Sequence, residues 1–168
     1  MTNSPPVICI VAPGSGYGKT SLLEYLIREL KASGKSVCVL KHSGHNFVPD
    51  EGKDTFLHRQ AGAMASAVLA ENGLLALYVP GSSMEESLRL MSCLDTDVVL
   101  SEGFKGSAYP KIILLKGYDE FGILPALENV IAVLYQGEVP DWVRVPVVRR
   151  KEDVFDIILS YLSDVGRG

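Results

Sequence analysis

With 168 residues, 47% of them hydrophobic and 21% charged, the chain has the size and apolar content of one globular domain with a substantial core. A net charge of −4 argues against a nucleic-acid platform, which needs a basic face; the one basic cluster, Arg149-Arg150-Lys151, reads as a solvated loop before a helix. No run of about 18 apolar residues occurs, so no membrane-spanning helix is expected, and Cys9, Cys38 and Cys93 lack Cys-x-x-Cys spacing and read as buried free thiols of a reducing cytosol.

Met1–Pro6 is short, uncharged and ends in proline, which predicts a loose tail and no leader sequence. From Val7 the run VICIV is a buried strand, and it leads into APGSGYGKTSLL. Strand, glycine-rich turn, then Gly18-Lys19-Thr20 opening an apolar helix is the order a phosphate-binding loop requires. Successive N–H groups from Gly14 to Thr20 can curl around an anion, with the positive end of the following helix aimed at the same point. Lys19 then reaches the β- and γ-phosphates and the Thr20 hydroxyl serves Mg²⁺. Pro13 stands where the pattern G-x-x-x-x-G-K-[ST] has its first glycine; without an N–H it can only shape the entry to the loop.

Leu22, Leu23, Leu26, Ile27 and Leu30 repeat at helical spacing, with Gly34 as C-cap. Ser36–Lys41 reads as the second strand, and Ser43–Lys53 as a polar loop. Asp54 is the expected N-cap of a helix over about Thr55–Met64. Ala67–Ala70 and Leu74–Val79 flank an Asn-Gly turn and predict an antiparallel hairpin. Met84–Leu94 follows as a helix, Val98–Leu100 as a buried strand ending in Ser101-Glu102-Gly103, and Lys111–Leu115, Val130–Tyr135 and Val145–Val148 as further strands. The last helix covers about Glu152–Leu162. Short apolar strands alternating with helices define an α/β class: a three-layer domain of the P-loop NTPase type, with a mostly parallel sheet and an antiparallel hairpin at its edge.

Ligands of such sheets sit at the carboxyl ends of the strands. Glu102 is a carboxylate at a rigid strand tip, the place of a second Mg²⁺ anchor beside Thr20. Gly103 lets the chain turn away, and Lys105 points either to an anion or to solvent. Asp54 reads both as a helix cap and as a carboxylate on the metal or catalytic side, so Asp54 and Glu102 are the candidate catalytic acids. His42 and His45 have H-x-x-H spacing on a loop, which suits a substrate or partner contact better than zinc. His58 and Arg59 are most simply exposed, with a phosphate within reach of Arg59.

The segments GSGYGKTSLL, VLKHSGH, GKDTFLHRQAGA, DVVLSEGFK and PKI together resemble the MobB family, the GTP-binding proteins of molybdopterin-guanine dinucleotide synthesis. The resemblance runs from about Val7 to Leu115, and more weakly to the end of the chain. It implies that Gly14, Ser15, Gly16, Tyr17, Gly18, Lys19, Thr20 and Ser21 hold a triphosphate. Thr20 and Glu102 hold magnesium, and Lys41, His42, Asp54, Arg59, Gly103 and Lys105 line the same cleft. It further implies GTP as ligand and a cytoplasmic homodimer. The implied activity is an adaptor, with slow GTP hydrolysis at most, for the guanylyltransferase that attaches GMP to molybdopterin. Tyr135-Gln136 ends a strand where the family often has a small residue and an aspartate, so guanine preference comes from the resemblance and not from those residues. Two other classes stay open: a P-loop small-molecule kinase, and a nucleotide-switched interaction protein outside molybdenum metabolism. The scattered arginines, of which only Arg149-Arg150 form a pair, speak against the kinase lid.

Overall fold

A computed structural model describes residues 4–165 of the chain, so the first half of the expected tail, 1–3, lies outside the described residues. The rest of that tail is not loose: Pro5 is buried, and the Pro6 carbonyl accepts from the Val99 N–H at 2.9 Å. The chain divides into two compact units. The first runs to His42 and resumes at Leu88, and the second is Ser43–Ser87.

In the first unit, six strands lie side by side: β1 (Val7–Val11), β2 (Val37–Lys41), β5 (Val98–Glu102), β6 (Lys111–Leu114), β7 (Val130–Leu134) and β8 (Val147–Val148). Their order is β2-β5-β1-β6-β7-β8, with every pair parallel. The composition explains this. All five residues of β1 are buried, as an interior strand with both faces covered demands. On one face Ile8, Ile10, Leu100 and Ile112 pack with Leu22, Leu23, Leu26 and Leu30 of α1 (Lys19–Ala32) and with Val154 and Ile158 of α4 (Lys151–Val165). The alternate residues Cys9, Val11, Val99, Ile113 and Val133 are buried as well. α1 ends as its sequence suggests: Gly34, at φ 78°, donates to Lys31 and is followed by Lys35 donating to Leu30, a glycine-based cap. β8 is shorter than expected because Pro146 has no N–H for the ladder, although its carbonyl accepts from Val133.

Two features of this unit are not apparent from periodicity. Tyr118–Ala126 forms a 3-10 stretch that carries only Phe121 and Leu124 into the interior, Phe121 meeting Tyr135 edge-on at 5.0 Å. Lys111, which opens β6, is fully buried, and its ammonium donates to the carbonyls of Ser107, Tyr109 (2.9 Å) and Glu128 (3.0 Å). A buried charge is tolerated there because all three of its protons meet backbone oxygens.

The second unit holds α2 (Asp54–Gln60), β3 (Ser66–Leu69), β4 (Leu75–Tyr78) and the start of α3 (Met84–Ser92). β3 and β4 pair antiparallel across Asn72-Gly73, as expected, but they form a sheet of their own and do not lengthen the edge of the six-stranded one. α2 differs from expectation at both ends. Lys53 occupies the cap position, Asp54 is the first helical residue with no capping bond, and Gly62 at φ 108° stops the helix well short of Met64. Arg59 is not exposed. Asp50, itself buried, grips it with both oxygens at 2.7 and 2.8 Å, and the Thr55 carbonyl and Ser66 hydroxyl also accept from Nη1. The Arg59 Cζ lies 4.9 Å from the Tyr78 ring centre. That pairing holds the Asp50 carboxyl down at about 2. Among the described residues, no helix is long and apolar enough to cross a membrane.

Candidate functional site

The carboxyl ends of β1, β2 and β5 meet in register, with Ile10 beside Glu102 and Glu102 beside Lys41. Between β1 and α1 the chain makes its glycine-rich loop. Gly16 (φ 76°) and Gly18 (φ 87°) take left-handed backbone that a side chain would strain, although open space surrounds both. Gly18 caps α1, whose first turn carries no acid, so the positive end of the helix faces the loop uncompensated.

A cleft of about 490 Å³ opens here, lined by Ser15, Gly16, Gly18, Lys19, Thr20, Ser21, Lys41 and Glu102. The Thr20 hydroxyl donates to Glu102 Oε2 at 3.2 Å, and Lys41 Nζ stands 3.5 Å from Glu102 Oε1. Glu102 is the shielded member of that ion pair, at 14% exposure against 63% for Lys41. Lys19 donates to the Gly14 carbonyl at 2.7 Å and Lys105 to that of Pro13 at 3.3 Å.

Gly103 is required twice over. Its φ is 102°, and a Cβ there would lie 3.0 Å from His42 Cβ. The tight turn lets the His42 N–H donate to the Glu102 carbonyl at 2.9 Å and places the imidazole 4.9 Å from the Phe104 ring. Phe104 itself sits at φ 59°, unusual for an aromatic residue, so backbone strain gathers directly after the site's carboxylate. Thus Lys19, Thr20, Ser21, Lys41 and Glu102 share one cleft, with His42, Gly103 and Lys105 on adjoining turns. Asp54 and Arg59 belong to the second unit. There Asp54 is exposed beside Gly52, Lys53 and Thr55, and Arg59 has its guanidinium occupied by Asp50. His45 also lies in that unit, its N–H on the Ser43 hydroxyl.

The arginine pair is spoken for. Arg150 binds Asp153 at 2.6 Å, and Arg149 donates to the Gly137 carbonyl at 3.0 Å. Gln136 donates its amide to the Arg149 carbonyl, tying the ends of β7 and β8. Among the thiols, Cys9 is buried and its pKa raised by that burial, Cys38 is half-buried and Cys93 exposed; all three are free. Two residues at the loop escaped sequence reasoning: Lys116, which donates to the Gly16 carbonyl at 2.8 Å, and Glu120, which accepts from the Tyr17 hydroxyl. The available signal was position, since Lys116 follows the carboxyl end of β6 as Glu102 ends β5.

A parallel sheet with this loop between its central strand and a helix is an α/β fold of the P-loop NTPase type. The family described as molybdopterin guanine dinucleotide synthesis protein B, MobB, matches residues 7–136, and the chain belongs to it. It is 32% identical over 152 residues to the probable molybdopterin-guanine dinucleotide biosynthesis adapter protein of Bacillus subtilis, with 87% of each chain covered. The adapter protein of that name from Haemophilus influenzae is 41% identical over 118 residues, which are 68% of this chain and 65% of the relative. Among solved structures, a MobB homolog from Bacillus stearothermophilus superposes with a TM-score of 0.72 at 25% identity, covering 98% of this chain and 99% of the other. Bacillus subtilis MobB gives 0.70 at 29% identity, covering 92% and 96%.

Proposed function

We propose that this protein binds GTP with Mg²⁺ and acts as a cytoplasmic adaptor for the guanylyltransferase that joins GMP to molybdopterin. The observation that carries the reading is the convergence of Lys19, Thr20 and Glu102 in one cleft at the positive end of α1. A hydroxyl and a carboxylate oxygen 3.2 Å apart are hard donors on rigid elements, the donor set that suits Mg²⁺, a cation that keeps several of its own waters. Thr20 and Glu102 would hold the ion, and the ion supplies charge neutralisation for the phosphates. The backbone N–H groups of the loop and Lys19 bind the triphosphate, and Lys41 adds a second cation to the rim. The names of the relatives support the pathway, and the family supports guanine.

The adaptor is favoured over a kinase by what lines the cleft: among the described residues the lining has lysines and no arginine, while Arg59, Arg149 and Arg150 are engaged elsewhere. Slow hydrolysis is the activity that such a cleft sustains. A homodimer belongs to the same reading, supported by the exposed apolar residues Met64, Leu69, Leu74 and Leu75 of the second unit, and its check is molar mass by light scattering.

The deciding experiment adds the purified protein to the cognate guanylyltransferase with GTP and molybdopterin. The yield of dinucleotide cofactor should rise, and Lys19→Ala should abolish the gain. Alone, the protein should turn over GTP well below the roughly 1–100 s⁻¹ of kinases. Transfer of γ-phosphate to a small metabolite, with no effect on cofactor assembly, would replace the adaptor by a kinase.

A further inference from the structure

The outer side of the loop carries a bonded ring that phosphate binding itself does not use. Tyr17 is the one bulky side chain between Pro13 and Lys19. Its hydroxyl donates to Glu120 Oε1, while Glu120 Oε2 accepts the backbone N–H groups of Lys116 at 2.7 Å and Gly117 at 3.2 Å. From the same segment the Lys116 ammonium returns to the Gly16 carbonyl at 2.8 Å and stands 5.2 Å from the centre of the Tyr17 ring. The ring edge in turn lies 3.6 Å from where a Gly14 side chain would begin. Two side chains of one segment, about 100 residues along the chain, therefore hold the loop at Gly16 and Tyr17.

The physical need for such a grip is clear. A loop with glycines at 14, 16 and 18 has more backbone freedom than any other sequence would give it, and ordering it around an anion costs that entropy. A cradle held from outside has already lost the freedom before the anion arrives. The Lys116 N–H first, then the Tyr17 hydroxyl and the Gly117 N–H, hold the Glu120 carboxyl below the usual range, and the carboxylate in turn raises the Tyr17 hydroxyl. The donor thus keeps its proton and the acceptor its charge across the ordinary pH range.

We propose that Lys116 and Glu120 are positioning residues that hold the phosphate-binding loop in its anion-accepting conformation by way of Gly16 and Tyr17. The identity of the anion rests on the nucleotide reading above; the grip on the loop does not. Bare electrostatics makes the opposite forecast for Glu120, because removing an acid near an anion site should tighten anion binding.

The test uses the full chain and the variants Glu120→Ala, Glu120→Gln, Tyr17→Phe and the double variant Tyr17→Phe/Glu120→Ala. Amide hydrogen exchange of residues 14–18 is followed without ligand, and Mg²⁺·GTP and inorganic tripolyphosphate are titrated separately. Exchange should rise, and both dissociation constants with it, on the order of tenfold in Glu120→Ala and in Tyr17→Phe, with the double variant no worse than the stronger single. Glu120→Gln keeps an oxygen for the two N–H groups and should recover most of the loss. Tyr17→Phe removes a single hydroxyl, so it carries the test if Glu120→Ala fails to fold. Unchanged exchange at 14–18, or tighter tripolyphosphate binding in Glu120→Ala, would overturn the clamp. Faster exchange in the variants, with no binding of either probe by the native protein, would leave the clamp standing and remove the nucleotide.

Discussion

Lys19→Ala strikes the cleft at its centre. The ammonium that donates to the Gly14 carbonyl at 2.7 Å would pass to phosphate oxygen once a triphosphate is bound, leaving that carbonyl to water. A hydrogen bond with a charged partner contributes about 1.5–3 kcal/mol, so taking about 2 kcal/mol the dissociation constant rises roughly 30-fold. At a GTP concentration of about 100 times the native dissociation constant, mass action stabilises the native fold by about 2.7 kcal/mol and the variant by only about 0.9 kcal/mol. For a domain of this size a kilocalorie is worth about 2–4 °C, so the native melting temperature should climb by about 5–11 °C and that of the variant by about 2–4 °C. Differential scanning fluorimetry with Mg²⁺·GTP, with and without the substitution, reads both shifts. The ligand-free proteins should melt close together, because the bond to Gly14 is exposed. A variant that kept the full GTP shift would refute the role of Lys19, and a native protein indifferent to both GTP and ATP would refute the phosphate loop.

Glu102→Gln is nearly isosteric and removes only charge, so it should fold normally while GTP binding loses its dependence on Mg²⁺ in titrations with and without EDTA. A preserved magnesium response would make Glu102 a mere partner of Lys41. Gly103→Ala should destabilise the ligand-free protein by about 1–3 kcal/mol in urea melts, since it forces a side chain into left-handed backbone and against His42, 3.0 Å away. Asp50 gives a pH prediction with a definite sign. Its folded pKa, about 2, lies below the ordinary 3.8, so its contribution is complete above about pH 4 and disappears as pH falls toward 2. Asp50→Asn should therefore melt below the native protein at neutral pH, and the two melting temperatures should converge over that acid range. Parallel curves down to pH 2 would contradict the Arg59–Asp50 pairing.

Features written in neighbouring residues were readable in advance. The apolar run at Val7–Val11, the glycines before Lys19-Thr20 and the leucines of α1 each state their structure locally, because strand, loop and helix here depend on spacing within about a dozen positions. The pairing of Thr20 with Glu102 spans 82 residues, yet it was anticipated, because the topology of a parallel sheet brings strand tips together whatever lies between. The cap of α2 was misread for the converse reason. Asp54 has the right residue type before an apolar pattern, but the helix begins one residue earlier and Gly62 ends it, and no pattern of apolar residues records a backbone angle. Arg59 looked like a surface cation on a short helix. Its partner Asp50 sits in a segment without periodicity, where nothing in the sequence announces a buried acid. For Lys116 the signal is only its position just past the carboxyl end of β6, since a single bond to a loop carbonyl leaves no residue pattern, and the 3-10 stretch that carries Glu120 has no periodicity to mark it.

The net charge of the chain does not describe the charge around the cleft. The chain as a whole is acidic, at −4, yet the described residues at the loop include Lys19, Lys105 and Lys116 on its carbonyls, Lys41 on the rim, and Glu102 as the one acid lining the cleft. A surplus of cations beside an uncompensated helix terminus focuses the field at that point, and Glu120, the acid behind the loop, has its carboxylate engaged by Tyr17 and two backbone N–H groups. The lysines are not equivalent. Lys19 holds an exposed carbonyl that water can take over, so its ammonium is free to exchange that oxygen for phosphate. Lys116 holds Gly16 as part of a closed ring with Tyr17 and Glu120, and leaving that carbonyl would open the ring. Binding should therefore draw on Lys19 and leave Lys116 in place, so that one cation meets the anion while another keeps the cradle in shape.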